Sequence, residues 1–201
     1  MPHRAFSEIN NLRRKEMKKL IANTFIAIIV VQGLSSLVFA TIPTETPVQI
    51  KSLINLVGAG KCLDVAGGQT GPGTPIVQYD CHNGQNQRFL FQRVQSQYII
   101  KSALDQSMCV GIPDNVHASS YELLRLEPCR LDNAPYYDIP LGVRWTINQN
   151  LYGTQLQFQA VSPSWDHVNT CIDVTGGSNE NSLWLQLYYC HAGNNQWWYL
   201  H

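Results

Sequence analysis

Beyond residue 40 the sequence lacks any stretch with sustained helical periodicity, so helices are not its building blocks. It also lacks an apolar run of the roughly 20 residues that cross a bilayer. The nearest approach, Ile21 to Val31, is well short of that and is followed by small residues. Positive charge is scarce in the same region. Six of the 14 Lys and Arg residues, but only two of the 14 Asp and Glu residues, precede residue 41, which leaves eight basic and 12 acidic side chains and a net charge of −4. Binding phosphates needs a positive field and clustered Lys or Arg, so nucleic acid is not an expected partner. No Cys-x-x-Cys is present, and the adjacent pairs Cys81-His82 and Cys190-His191 cannot easily converge on one tetrahedral ion, so no metal site is expected. Catalytic signatures are missing as well: no Gly-x-Ser-x-Gly elbow, no His-Glu-x-x-His and no phosphate-cradling glycine loop. Nothing calls for a cofactor, and the expectation is a protein that is not an enzyme.

What is present begins with a leader. The 201 residues suit one domain with an appendage. Arg13 to Lys19 is basic, Ile21 to Val31 is almost wholly apolar, and Ser35-Ser36-Leu37-Val38-Phe39-Ala40 offers small residues where a signal peptidase reads. Residues 1–40 read as an N-terminal extension and signal peptide cleaved after Ala40, with Met17 an alternative start to Met1. The expected location is secreted or periplasmic, with no membrane attachment after cleavage. Residues 41–47 form a linker to the domain proper.

The exported part contains a block that appears twice. Cys62-Leu63-Asp64-Val65 is followed by Tyr79, Cys81, His82, Asn86, Gln87 and Phe89, and Cys171-Ile172-Asp173-Val174 by Tyr188, Cys190, His191, Asn195, Gln196 and Trp198, at identical offsets. All six cysteines lie here, and separations of 19, 20 and 19 pair Cys62 with Cys81, Cys109 with Cys129, and Cys171 with Cys190. Six cysteines allow about 15 connectivities, of which the repeat makes this one the economical choice. Export favours disulfides over a metal.

A middle copy stands between the two. Strand-like stretches open the three copies at residues 48–56, 98–104 and 155–161, where Leu156, Phe158 and Ala160 alternate with glutamines. Each continues with a cysteine strand, a Gly- and Asn-rich turn, a second strand ending in cysteine, and a closing aromatic at Phe89, Trp145 or Trp198. Four short strands per copy, three times, predict about 12 strands and an all-β fold. The middle copy keeps its cysteines and closing tryptophan. It has Gly111 in place of the aspartate, Glu127 of the tyrosine, Arg130 of the histidine and Gly142-Val143 of Asn-Gln, and residues 131–141 read as an insertion.

The triple repeat, the Cys-x-Asp-Val strands and the endings Asn86-Gln87-Arg88-Phe89 and Asn195-Gln196-Trp197-Trp198 resemble the ricin B-type β-trefoil lectins, especially the bacterial carbohydrate-binding modules of that family. The resemblance covers residues 48–201 and implies a β-trefoil of pseudo-threefold symmetry: a six-stranded barrel capped by three hairpins, from repeats at about 48–93, 94–148 and 149–201. It also implies one potential sugar site per repeat. The first would use Asp64, Tyr79, His82, Asn86 and Gln87, and the third Asp173, Tyr188, His191, Asn195 and Gln196, with Gln186 adding a contact that Val77 cannot.

The chemistry of these residue types fits that implication. A carboxylate accepts from two vicinal sugar hydroxyls through charge-assisted bonds. A tyrosine ring offers a face to the C–H side of a pyranose. Asn and Gln amides supply donor and acceptor together. Phe89, Trp145 and Trp198, at the repeat ends, are expected in the core, whereas Trp165 and Trp184 fall outside the motif, where each either lines a ligand groove or packs in part. Asp64 and Asp173 sit in different repeats, too far apart for one glycosidic bond, which needs carboxyls within roughly 10 Å. The expected partners are glycans containing galactose-like or xylose-like units. A second expectation comes from Tyr98-Ile99-Ile100-Lys101-Ser102-Ala103-Leu104 and Leu124-Arg125-Leu126-Glu127-Pro128-Cys129, which are similar to segments in the lectin-like subunits of cytolethal distending toxins and imply a toxin or hydrolase partner.

Overall fold

The computed structural model describes residues 41–201, apart from 55–57, 59, 115–117, 132–134, 136–137, 152 and 163–168. The expected leader and Trp165 lie outside the described residues. Twelve strands follow one another in the described chain. The first four are β1 (Ile50–Ser52), β2 (Lys61–Val65), β3 (Ile76–Asp80) and β4 (Phe89–Val94). The second four are β5 (Gln97–Ser102), β6 (Met108–Gly111), β7 (Arg125–Pro128) and β8 (Arg144–Gln149). The last four are β9 (Leu156–Ala160), β10 (Thr170–Val174), β11 (Leu183–Tyr189) and β12 (Trp198–Leu200). The all-β trefoil read from the sequence is the fold observed.

Six strands close a barrel. β4 pairs with β5, β5 with β8, β8 with β9, β9 with β12 and β12 with β1, all antiparallel. The ring is completed between β1 and β4 by Val48 and Phe89, whose amides and carbonyls exchange two bonds of 2.9 Å. Closure matters because it leaves no open edge to recruit a foreign strand. The remaining six strands form the hairpins β2–β3, β6–β7 and β10–β11.

The three closing aromatics lie in the core as expected: Phe89, Trp145 and Trp198 are at most 1% exposed. Burying an indole is tolerable only if its N–H finds an acceptor. Trp145 Nε1 donates to the Val110 carbonyl at 3.1 Å and Trp198 Nε1 to that of Ile172 at 3.4 Å, each a hairpin strand of the same repeat. Around them pack Leu63, Val65, Ile76, Val110, Leu124, Leu126, Ile172, Val174, Leu185 and Leu187, so every hairpin contributes to one shared core. Three disulfides tie each hairpin's first strand to the residue after its second: Cys62–Cys81, Cys109–Cys129 and Cys171–Cys190, with Cα atoms 5.0, 5.2 and 5.1 Å apart.

The hairpins also hold one another in a ring. The residue eight before each repeat's second cysteine donates its amide to the residue three before the second cysteine of a neighbour. Gly73 N reaches Leu126 O at 2.8 Å, Tyr121 N reaches Leu187 O at 2.7 Å, and Ser182 N reaches Gln78 O at 2.8 Å. Lys61 reinforces one of these junctions. Its buried ammonium bonds Asp80 Oδ1 at 2.7 Å and Asn181 Oδ1 at 2.6 Å, joining the first hairpin to the third.

Candidate functional site

Asp64 leaves the end of β2 beside Val65, opposite Val77 of β3. The turn of residues 85–87 brings Asn86 and Gln87 beneath it. Asn86 Nδ2 donates to Asp64 Oδ2 at 2.9 Å and Gln87 Nε2 donates to the same oxygen at 2.8 Å. His82 Nε2 stands 3.4 Å from that oxygen. Gln87 is wholly buried, and each end of its amide is used: Nε2 also donates to the Asp80 carbonyl at 2.9 Å, while Oε1 accepts the His82 amide at 2.7 Å. Tyr79, more than a third exposed, meets the His82 ring edge-on at 6.2 Å. Burial raises the Asp64 carboxyl above its ordinary value, against the lowering effect of the bonds from Gln87 and Asn86 and of His82.

The third repeat rebuilds the same arrangement. Asp173 Oδ2 accepts from Asn195 Nδ2 at 2.6 Å and Gln196 Nε2 at 3.0 Å, with His191 Nε2 at 3.6 Å. Gln196 Oε1 accepts the His191 amide at 2.8 Å and its Nε2 donates to the Tyr189 carbonyl at 2.9 Å. Tyr188 meets the His191 ring edge-on at 6.0 Å. Burial again raises the carboxyl, opposed by Gln186, Gln196 and His191. The residues singled out in the sequence are therefore brought together as two separate sets.

Gln186 is where the sets differ. It faces Asp173 across β10 and β11, is buried, and donates Nε2 to Asp173 Oδ1 at 3.1 Å. Among the described residues, Asp64 Oδ1 takes no such donor, because Val77 stands opposite. A carboxylate offers about four lone-pair sites. Asp64 thus keeps one whole oxygen for a ligand and Asp173 a half-used one.

Each set opens on a concave surface. The first cleft, of about 520 Å³, is lined by Asp64, Tyr79, His82 and Asn86, and by Ser182 and Trp184 from the third repeat. The other, of about 390 Å³, is lined by Asp173, Gln186, Tyr188, His191 and Asn195, and by Tyr121 from the middle repeat. Sequence offsets could not find Ser182, Trp184 and Tyr121, because they arrive from a neighbouring hairpin. Trp184 pairs with Val77 across β11 and β3, which carries it to the first cleft. Two supporting glutamines also went unseen. Gln49 Nε2 donates to the His82 carbonyl at 2.6 Å and to Gln87 Oε1 at 3.2 Å, and Gln157 Nε2 donates to the His191 carbonyl at 2.9 Å and to Gln196 Oε1 at 3.2 Å. Their signal was a glutamine within an apolar barrel stretch, where Gln157 had read as the wet side of an alternating strand.

Among the described residues the middle repeat forms no third set. Gly111 packs so closely that a Cβ there would lie 2.5 Å from the Gly142 carbonyl oxygen. Gly142 O instead accepts the Ile112 amide at 3.0 Å. Arg130 and Glu127 are spent on Asp114 and Arg125, at 2.8 and 2.6 Å.

Comparison with known proteins bears on the fold. Residues 44–121 match a family described as ricin-type beta-trefoil lectin domain-like. No curated protein matches the chain. Among solved structures, a designed threefold-symmetric protein, ThreeFoil, is 18% identical with a TM-score of 0.61, over 77% of this chain and 96% of its own. A ricin B-like lectin of Macrolepiota procera in complex with lactose is 20% identical with a TM-score of 0.58, over 80% of this chain and 98% of its own. A mosquitocidal holotoxin is 16% identical with a TM-score of 0.61, over 80% of this chain but only 17% of the holotoxin. Each of these likenesses is one of fold.

Proposed function

We propose that this chain, a ricin-type β-trefoil lectin-like protein, is an exported, non-catalytic carbohydrate-binding protein with two sugar sites, one in the first repeat and one in the third. The observation that carries the proposal is the pair of clefts in which a buried carboxylate, held from beneath by an Asn-Gln pair, faces outward beside a tyrosine ring. Water is a poor reason to bury a carboxylate, which loses hydration on burial. A ligand rich in vicinal hydroxyls restores it. The Asp anchors, the Tyr ring carries the C–H face of the pyranose, and Asn and His hydrogen-bond its remaining hydroxyls. Gln87 and Gln196 act through the aspartates as positioning residues. Galactose-like or xylose-like units are the ligands of choice, and the lactose held by the Macrolepiota lectin favours the former.

Open sites of this kind bind one sugar weakly, so useful affinity comes from both sites engaging one branched or clustered glycan. The test is a glycan array on the mature protein, residues 41–201, beside the double variant Asp64→Asn, Asp173→Asn. Sugar binding by the parent and its loss in the variant is the expected result. Full binding by the double variant refutes the site.

A second reading makes the domain the binding subunit of a toxin or secreted enzyme. The fold shared with one part of a mosquitocidal holotoxin motivates it, as do the two middle-repeat segments noted above. Its test is purification from the source organism: a stoichiometric partner supports it, and a lone monomer with sugar binding intact removes it.

A further inference from the structure

Eight residues before each repeat's second cysteine the backbone is left-handed: φ is 83° at Gly73, 73° at Tyr121 and 61° at Ser182. Glycine adopts this conformation freely. A bulky residue there is a genuine outlier; such outliers persist only where the surrounding structure over-determines them, and they cluster at ligand sites. Space does not dictate which tip carries a side chain, since a Cβ on Gly73 would meet nothing within 4 Å. What distinguishes the tips is what they overhang. Ser182 lines the first cleft and Tyr121 the third. Gly73 bonds to the middle repeat, where Gly111 stands in place of the site aspartate. Side chains are kept at the strained position where the tip borders an intact cleft and dispensed with where it does not.

Each intact cleft also holds two rings, one from its own repeat and one from a neighbour. Tyr79 is joined by Trp184, whose indole N–H is fixed on the Leu124 carbonyl. Tyr188 is joined by Tyr121, edge-on at 5.4 Å and 74°, and the hydrogen bond between the two hydroxyls holds the Tyr188 phenol protonated, above its ordinary value. One pyranose needs one ring face. A second ring, borne by another hairpin and set against the same carboxylate, suits a ligand longer than one sugar.

We infer that each intact cleft takes two consecutive sugar units of a glycan, the first on the carboxylate and its own ring, the second against the neighbouring repeat's Trp184 or Tyr121, with Ser182 Oγ as a polar partner in the first cleft. This rests on the carbohydrate reading above and specifies the length of ligand each site accepts.

Single-cleft proteins, made with Asp173→Asn or Asp64→Asn, separate the sites. Each is titrated calorimetrically with galactose and lactose, and with xylose and xylobiose. Within the pair that binds, the disaccharide is expected to be at least about fivefold tighter than its monosaccharide, the scale of one added aromatic contact. Tyr121→Gly in the third-cleft protein, and Trp184→Leu or Ser182→Gly in the first-cleft protein, are expected to shrink that ratio. Both glycine variants suit the left-handed backbone, and a thermal melt checks that they fold. Equal affinity for one and two units, or a ratio the variants leave unchanged, overturns the two-unit inference while the sugar sites stand. No binding of any of the four probes at millimolar concentration overturns the sugar reading and this inference together.

Discussion

The first and middle repeats are built on one backbone plan and put it to opposite uses. Barrel register makes the correspondence explicit: Lys51 faces Cys62, and Lys101 faces Cys109. Gln49 therefore corresponds to Ile99, and Gln87 to Val143. In the first repeat two buried glutamines bond each other and support Asp64. In the middle repeat Ile99 and Val143 pack with Cys109, Cys129 and Ile139, the last contributed by the inserted residues, as a small hydrophobic cluster. Exchanging both partners of a buried hydrogen bond for apolar groups is nearly neutral, whereas exchanging one strands the other. The middle repeat has made the whole exchange and covered it. The lesson is that a binding site and a piece of core are alternative fillings of the same frame.

The comparison breaks most visibly if the middle site can be restored by one residue. Gly111→Asp would bury an unpaired carboxylate against the Gly142 carbonyl, and a loss of about 3–5 kcal/mol is expected in urea unfolding. A loss below about 1 kcal/mol would mean the frame still accepts the acid. Next in size is the converse. Gln87→Val leaves Gln49 and Asp64 short of partners and should cost about 1–3 kcal/mol, and adding Gln49→Ile should return part of it, a non-additivity that a double-mutant cycle measures. Strict additivity would show that the two glutamines do not act as a unit.

Acid sharpens the contrast further, because among the described residues only the flanking repeats carry a buried carboxyl. Burial places the folded-state pKa of Asp64 and Asp173 above 3.8. The folded protein therefore holds these protons more tightly than the unfolded chain. Their contribution to stability is present below pH 3.8 and is lost as pH rises through the folded values. Sugar binding runs the other way, since the protonated acid accepts poorly. Affinity should fall as pH descends through the raised values, while Asp64→Asn, Asp173→Asn removes the corresponding slope from the stability curve. The smallest expected effect separates the first repeat from the third: Gln186→Val should free Asp173 Oδ1 and bring the third site toward the first, and Val77→Gln should do the reverse. Each shift is about threefold, because a sugar hydroxyl gained at Oδ1 replaces the glutamine's bond rather than adding to it and only the net worth of one hydrogen bond is read, by titrating single-cleft proteins.

Much of this was legible in the sequence because the repeat kept its offsets. Asp64, Tyr79, His82, Asn86 and Gln87 recur at the spacing of Asp173, Tyr188, His191, Asn195 and Gln196, and the middle copy's departures marked the difference between scaffold and site. Closing aromatics at repeat ends read correctly as core, since a barrel needs large side chains where its strands begin. Gln49 and Gln157 stayed hidden for a simple reason: they lie 13 and 14 residues before their cysteines, so no shared offset flags them. Tyr121 stayed hidden, and Trp184 stayed undecided between groove and packing, for a deeper one. Their place is set by which hairpin leans on which, a fact of pairing between repeats that spacing within a repeat does not encode.

The pairing of β1 with β12, Ile50 opposite Leu200, has a kinetic consequence. Nearly the whole domain separates those partners in sequence, and such non-local contacts are the slow step in β folding. The first barrel strand must wait for β12. Until then the only covalent order available is local, because each disulfide closes within its own hairpin. Each disulfide loop can therefore close as its own hairpin forms, whereas the barrel needs both ends of the domain.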